Sequence, residues 1–290
     1  MNKLLFTFVL ILLALSSAAA QNDPKKMEKL TVDEIVARHL VSLGTPDAIK
    51  ASTSRVMTGK GTLVSKIGTG FMLEGTTQLA STPEGELFAM IFDNSVYPYE
   101  KLGFDGRDIT YGLPSGKPTL LVNFVRAQNA IMKDGLFSGA LSARWPLLDL
   151  KSGPKVKLET AGTAKVGDIL CYKLKYSSSR SGDLKVTLFF DAATFRHVRT
   201  EYGYTVEPSI GTSSTDVRSS SRVERYNMSE DFSEFKKAGD LVLPSVYKVI
   251  VSNEGQIEST TGANIREWTF KIDNVYFSEK LTREMFKVSS

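Results

Sequence analysis

The feature that most constrains this fold is a hydrophobic period of two, which begins near Ser54 and recurs through the rest of the chain. Successive side chains of a β-strand point to opposite faces, so alternating apolar and polar residues predict strands with one buried face. Residues 184–190 alternate in this way. Turn signals such as Pro83-Glu84-Gly85 and Asp105-Gly106 recur at the spacing expected for consecutive antiparallel strands.

The alternating segments predict two series of strands. The first series comprises residues 55–64, 69–79, 87–92, 101–104 and 108–111. The second comprises residues 156–159, 165–166, 169–176, 184–191, 197–204, 220–228, 246–251 and 265–275. Together they predict a mainly β protein with helices (α+β), built on one large and mostly antiparallel sheet.

Two helices are predicted before the first strand. Thr31 is a suitable N-cap and Glu34 completes a capping box, so a helix should begin there. Gly44 suits its C-terminal end. A second short helix should begin with Pro46 at its first position and continue to about Ala51.

A helical insert over about residues 119–148 separates the two series of strands. Gly135 and Gly139 interrupt it, and each glycine costs a helix about 1 kcal/mol relative to alanine. The helical pattern ends before Trp145-Pro146-Leu147-Leu148. We therefore predict a broken helical segment rather than one continuous helix.

Residues 87–92 are apolar without alternation, so both faces of this strand should be covered. One interpretation is a curved sheet with helices packed inside it or across its mouth, around a cavity. The other is a simple two-layer core without a cavity. The pattern alone leaves both open.

The N-terminal region is typical of a secretory signal at residues 1–20, with Lys3, an apolar run and Ala18-Ala19-Ala20 before Gln21. We expect cleavage near Gln21, a flexible segment at 21–29 and a single domain at 30–290. The apolar run is shorter than the roughly 20 residues of a membrane span, and no cysteine follows the cleavage site to carry an acyl anchor. These features predict a soluble protein of the periplasm.

Composition excludes several partners and chemistries. The formal net charge of +4 is spread along the chain, which argues against nucleic-acid binding. Cys171 is the only cysteine, so no intrachain disulfide is expected. We expect a monomer without metal or other cofactor.

Catalytic motifs are also missing from the sequence. The only histidines, His39 and His197, lack neighbours at metal-ligand spacing. We expect His39 on the apolar face of the first helix, His197 at the surface or in a cross-strand contact, and Cys171 as a small filler. Nearby lysines leave open a nucleophilic Cys171. The sequence as a whole argues against an enzyme.

Several segments resemble the LolA/LolB-like periplasmic lipoprotein-carrier superfamily, in the version known as outer-membrane lipoprotein-sorting-like proteins. These segments are TVDEIVARHL (31–40) with Leu43-Gly44, FDGRD (104–108), Asp134-Gly135-Leu136, Trp145-Pro146-Leu147-Leu148, FDAATFRHVR (190–199), GDLVLP (239–244) and FKIDNV (270–275). The resemblance covers most of the chain after the leader.

This resemblance implies an incomplete, strongly curved antiparallel barrel covered by helices, which transports acyl chains towards the outer membrane without covalent catalysis. It suggests a lipid-binding surface formed by Phe71, Leu73, Phe88, Met90, Phe92, Trp145 and Trp268. The lid would contain Phe124, Ile131, Met132 and Leu136. Expected partners are lipid or lipoprotein acyl chains, envelope proteins and, transiently, a membrane surface.

One departure concerns the arginine that precedes a proline in the carrier and hydrogen-bonds the lid backbone. The corresponding position here looks like Thr82, before Pro83, so the carrier's lock is not transferable to this chain, and neither are the carrier's transporter partners.

Two alternatives to a lipid carrier remain. The first is a protein-interaction or assembly module that uses the sheet edges and the Ser/Thr-rich residues 209–221. The second, less favoured, is a hydrolase.

Overall fold

The computed structural model describes residues 28–150, 155–207, 223–254 and 264–288. The predicted leader, most of the predicted flexible segment and the Ser/Thr-rich residues 209–221 lie outside the described residues. The chain divides into two compact units, Met1–Leu30 and Thr31–Ser290. All the described helices and strands belong to the second unit.

The second unit is built on strands that form one antiparallel sheet. The strands of the first series are β1 (Arg55–Ser65), β2 (Phe71–Ser81), β3 (Glu86–Phe92), β4 (Tyr99–Phe104) and β5 (Ile109–Tyr111). Those of the second are β6 (Val156–Val166), β7 (Ile169–Ser178), β8 (Lys185–Asp191), β9 (His197–Val206), β10 (Glu224–Ala238), β11 (Leu241–Glu254) and β12 (Asn264–Phe277).

The two series join where β1 pairs with β12, the first and last strands of the sheet in sequence. The strand order is β5-β4-β3-β2-β1-β12-β11-β10-β9-β8-β7-β6. The predicted large antiparallel sheet is therefore confirmed. It is open rather than closed into a barrel, with β5 and β6 at its edges.

The largest differences from the predicted strand boundaries lie in β6, β10 and β11. Residues 156–159 and 165–166 belong to one strand, β6, because its pairing with β7 continues through an irregularity between Thr160 and Thr163. Strands β10 and β11 extend well beyond the apolar stretches that marked them, since their ladder continues to Ala238 and Leu241. Polar residues such as Lys236 and Lys237 concealed this extension, because neither face of the hairpin is uniformly apolar there.

The helices follow the prediction at the N-terminus. Helix α1 (Val32–Leu43) carries the capping box, in which Glu34 N donates to Thr31 Oγ1 at 3.3 Å and Thr31 N donates to Glu34 Oε2 at 2.8 Å. Helix α2 spans Pro46–Ala51. None of the described helices has the length and apolar character needed to cross a membrane.

The insert is broken, as predicted. It contains α3 (Leu120–Ala127), α4 (Ala130–Lys133) and the 3-10 turns Gly139–Leu141 and Pro146–Leu148. Gly135 has a positive φ of 75°, and a Cβ at this position would overlap the carbonyl oxygen of Arg144. This close approach turns the chain between α4 and the first 3-10 turn.

The sheet is strongly curved. Phe88 on β3 and Phe270 on β12 have ring centroids 4.8 Å apart, although β2 and β1 lie between their strands. In a flat sheet, three strand spacings would separate the two side chains by about 14 Å. The face that carries both rings is therefore concave.

The main core lies between the concave face and the insert. Phe137 of the insert contacts Phe88 at 5.2 Å and Tyr247 on β11 at 6.5 Å between ring centroids. Phe124 on α3 contacts Tyr204 on β9 at 5.2 Å. All the rings in these contacts are buried, so the insert fills the concavity with side chains.

The apolar pattern of β3 has a different cause on each face. Phe88, Met90 and Phe92 are buried in the main core. On the opposite face, Leu87, Ala89 and Ile91 line a groove of about 710 Å³ that the C-terminal Met285–Val288 borders. The outer face is thus partly covered by the C-terminal segment, which neither sequence interpretation anticipated.

The β1–β12 junction yields a stability prediction. The register shifts between Thr58 and Gly59, and a Cβ on Gly59 would overlap the Lys271 carbonyl oxygen on β12. We expect Gly59→Ala to lower the free energy of unfolding by about 1–3 kcal/mol, because this backbone must move. Urea denaturation should measure the loss.

Gly203→Ala on β9 is the matched control, since the nearest atom to its added Cβ is the Asn227 Oδ1 side-chain atom at 3.3 Å. Equal unfolding midpoints for Gly59→Ala and Gly203→Ala would contradict the assigned junction.

Candidate functional site

The insert is attached to the sheet by Arg55, the first residue of β1. Its guanidinium Nη1 donates to Ala140 O at 2.7 Å, with Ser142 O at 3.3 Å and Leu141 O at 3.4 Å. Its Nε donates to Ser52 O at 3.0 Å, just after α2. Arg55 is only 2% exposed, so these carbonyls replace most of its hydration.

The local structure explains why a cation fits here. Ser52 caps α2, and Ala140 and Leu141 end a 3-10 turn, so several carbonyls without a helical partner converge on Arg55. Burial lowers the pKa of Arg55 to about 10. The guanidinium therefore remains charged at neutral pH and bridges α2, β1 and the insert.

A buried glutamate forms the second attachment. Glu230 on β10 accepts hydrogen bonds from Ser138 N at 2.7 Å, from the Tyr202 hydroxyl at 2.6 Å and from the Tyr247 hydroxyl. Ser138 has a left-handed backbone with φ of 63°, a conformation that costs energy in a residue other than glycine. The carboxylate therefore holds the insert at the strained turn around Ser138.

Two more glutamates lie in the concave core, and burial raises the pKa of all three. The pKa of Glu230, of Glu86 on β3 and of Glu100 on β4 is raised to about 7. Arg144 Nη1 lies 3.7 Å from Glu86, and the Thr119 hydroxyl donates to Glu100 at 2.6 Å. Each glutamate thus has a partner in the insert or at its beginning.

The two histidines belong to one aromatic cluster with Trp145. Trp145 Nε1 donates to His39 Nε2 at 3.1 Å, and His39 Nδ1 lies 3.1 Å from Phe195 O. The His197 ring stacks on Trp145 with centroids 4.7 Å apart. Both histidines are buried, so the predicted core position of His39 is confirmed. Of the two positions predicted for His197, the surface position was wrong, and the cross-strand contact is confirmed by its pairing with Phe190 on β8.

The cause of the error at His197 is long-range packing. His197 lies at the start of β9, where its own neighbours look exposed, but Trp145 and Phe232 come from distant segments and cover its ring. Burial lowers the pKa of His39 to about 4 and that of His197 well below its usual value. Both rings are neutral at pH 7.

Cys171 packs with Phe189 and Val198 in a second, smaller core. Burial raises the pKa of its thiol to about 11, so the reactive thiolate is scarce at neutral pH. The lysines on the same strand do not offset this effect. Among the described residues, no group of three or more His, Cys, Asp or Glu side chains is placed to hold a metal ion.

The side chains expected to bind lipid are divided by the structure. Phe88, Met90, Phe92, Trp145 and Trp268 are buried within the core. Phe71 is 40% exposed on β2, and Leu73 is half-buried. The expected lid residues Phe124, Ile131, Met132 and Leu136 are all buried.

The insert packs against the concave face, where Phe137 contacts Phe88 and Phe124 contacts Tyr204. Thr82, where the resemblance leads us to expect no arginine lock, lies in a turn in which its hydroxyl accepts from Gly85 N at 3.2 Å. An arginine of the sheet, Arg55, donates hydrogen bonds to the insert backbone.

A surface groove of about 790 Å³ lies between the two N-terminal helices and the end of the insert. Its apolar walls come from Leu40 and Val41 of α1, Ile49 of α2, and Pro146 and Leu148 of the insert. Val41 is 77% exposed, which is high for an aliphatic side chain. The groove is open, unlike the filled concave face.

Sequence reasoning missed Arg55, Glu230 and the groove. One signal was available for the charged residues, because each lies two positions along its strand from a buried apolar residue, Met57 for Arg55 and Met228 for Glu230. A charge at an inward position predicts a buried polar contact. The partners in the insert could not be read from this signal.

Comparison with known proteins identifies similar solved structures. A LolA superfamily protein from Nitrosomonas europaea is 12% identical over 90% of this chain and 99% of its own, with a TM-score of 0.46. A putative outer membrane lipoprotein-sorting protein domain from Vibrio parahaemolyticus is 11% identical over 87% of this chain and 94% of its own, with a TM-score of 0.44.

The MucA/MucB complex of Pseudomonas aeruginosa contains a chain that is 8% identical over 85% of this chain and 100% of its own, with a TM-score of 0.22. No protein-family model matches the chain, and no curated protein matches it in sequence. The LolA/LolB-like resemblance seen in the sequence is found again among the solved structures.

The Arg55 attachment predicts faster opening of the insert in Arg55→Leu. This change leaves the carbonyls of Ala140 and Leu141 buried without their charged donor, which should cost about 1–3 kcal/mol. Hydrogen–deuterium exchange should show faster exchange in residues 130–148 than in the wild type.

Arg225→Leu, at an exposed arginine of β10, is the control and should leave the exchange unchanged. Identical protection of residues 130–148 in Arg55→Leu and wild type would show that Arg55 does not hold the insert.

The raised pKa of Glu230 predicts a pH-dependent stability difference. The protonated folded state is favoured, so this contribution is fully present below about pH 4.3, the usual value, and is lost as the pH rises through about 7. Relative to Glu230→Gln, the wild type should lose up to about 3 kcal/mol of stability between pH 5 and pH 8.

Chemical denaturation across this pH range measures the effect, and Glu74→Gln at an exposed site is the control. A constant stability difference between wild type and Glu230→Gln would contradict a raised pKa at Glu230.

Proposed function

We propose that this chain is an exported binder or carrier of acyl chains of lipids or lipoproteins, which acts without covalent catalysis. The observation that supports this function best is the apolar groove between α1, α2 and the end of the insert. Its volume of about 790 Å³ lies within the range of about 300–1,000 Å³ that small-molecule sites occupy.

The groove has the chemistry that an acyl chain requires. Leu40, Val41, Ile49 and Leu148 offer aliphatic surface, and Trp145 closes the inner side. Each methylene buried in such a place contributes about 0.8 kcal/mol before the cost of ordering the chain. An aqueous compartment between membranes is where such a binder is useful, in keeping with the leader expected at residues 1–20.

The interior surface is a second part of the proposal. Phe88, Met90, Phe92 and Trp268 would meet an acyl chain only after the insert has left the concave face, because Phe137 now packs against Phe88. The polar attachments at Arg55 and Glu230 would resist this displacement. We therefore place the first contact of the acyl chain in the open groove.

A charge placed in the groove should weaken binding of a neutral probe. Val41→Asp puts a carboxylate on the apolar wall, and we expect at least about a tenfold rise in the Kd of a fluorescent long-chain alcohol. Since Val41 is exposed, the fold should tolerate the change. Fluorescence titration measures the affinity.

Val96→Asp is a matched control, because Val96 is 75% exposed and lies outside the residues that line the groove. Binding by wild type and Val96→Asp, but not by Val41→Asp, supports the proposal. If the wild type bound neither this alcohol nor the carboxylate with the same chain, the proposal would be refuted and a protein-interaction module favoured instead.

A further inference from the structure

A cationic pocket adjoins the apolar groove. This pocket has a volume of about 580 Å³, and it shares Pro83, Lys133 and Arg144 with the groove as common walls. Its other cations are Arg107, Arg180 and Arg283. The apolar groove therefore borders a pocket that five basic side chains line.

The acidic side chains near the pocket are Glu84 and Asp105 in its lining, with Asp134 alongside in the groove. Asp105 is 3.3 Å from Arg283 Nε and accepts hydrogen bonds from the backbone of the turn that follows it. Asp134 is 3.0 Å from Arg180. Asp108 lies 3.8 Å from Arg107, and Glu86 lies 3.7 Å from Arg144. All four arginines of the pocket therefore have a carboxylate within 4 Å, and Lys133 is the one basic side chain of its lining for which the described residues supply no such partner.

Lys133 is the cation at the junction of the pocket and the groove. Its side chain is exposed, it lines both the pocket and the groove, and within the described part of the chain no carboxylate forms an ion pair with it. Its backbone oxygen accepts from Arg144 Nη2 at 2.9 Å, which fixes α4 at this position. Arg107, 80% exposed, faces the same pocket from the turn after β4.

We propose that the ligand is an anionic amphiphile with a single acyl chain, which lies in the groove while its carboxylate or phosphate group binds in the cationic pocket beside Lys133. This inference rests on the proposed acyl-chain binding and adds the chemical class of the headgroup. Cationic side chains next to an apolar wall distinguish such a ligand from a neutral lipid, because charge-assisted hydrogen bonds recognise the headgroup.

The test compares fluorescent probes that share one long chain and differ only at the end, a carboxylate or an alcohol. We expect the wild type to bind the carboxylate at least about tenfold more tightly than the alcohol, with the preference shrinking at high salt. Lys133→Glu should remove the preference, and an unfolding midpoint close to that of the wild type shows that this variant is folded.

Lys117→Glu makes the same charge change at an exposed lysine outside both sites and should retain the preference. Arg107→Ala is a second variant, which should weaken carboxylate binding without the reversal of charge. Loss of the preference in either pocket variant, with Lys117→Glu unchanged, supports the inference.

Equal affinity of the wild type for carboxylate and alcohol would overturn the headgroup assignment and leave acyl-chain binding intact. Binding of neither probe would overturn the proposed function itself. Binding of inorganic phosphate is measured as well. If it binds in a Lys133-dependent manner while neither amphiphile binds, the pocket takes a free anion and the inference is wrong.

Discussion

The burial of one arginine organises this structure. Arg55 begins the central strand of a curved sheet, and its charge is satisfied by backbone carbonyls from α2 and from the insert. Removing a guanidinium from water is costly unless its donors find acceptors. The insert therefore has to present the carbonyls of residues 140–142 at this point, and this requirement fixes how the segment packs on the concave face.

Around this contact, apolar burial and polar attachment act together. Phe137 contributes apolar surface to the concavity, whereas Glu230 satisfies the strained backbone of Ser138. A buried glutamate and buried histidines respond to pH in opposite directions, because burial disfavours the charged form in each case. The same core is thus penalised by glutamate ionisation as the pH rises and by histidine protonation as it falls.

Local sequence signals predicted the elements better than their contacts. The Thr31 capping box, Pro46 and the alternation in residues 184–190 act within a few neighbours, so the helices and most strands could be read directly. Tyr247 and Glu230 meet Ser138 only because the sheet curves around the insert. No short-range pattern encodes that meeting, nor the burial of His197 by Trp145.

The candidate site likewise depends on contacts between distant segments more than on local sequence signals. The family resemblance implied an interior lipid surface, which stays a prediction, and in the structure Phe137 packs against Phe88 on that face. The open groove depends on the relative placement of α1, α2 and the segment around Pro146. That placement follows from tertiary packing, so neither Val41 nor Lys133 had a sequence signature of its own.

The most direct test of this account is a crystal structure of the protein with a bound long-chain fatty acid. We expect electron density for the chain along Leu40, Ile49 and Leu148, with the carboxylate beside Lys133 and the Arg55 hydrogen bonds to the insert intact. A groove without density for the acyl chain would contradict the proposed binding site.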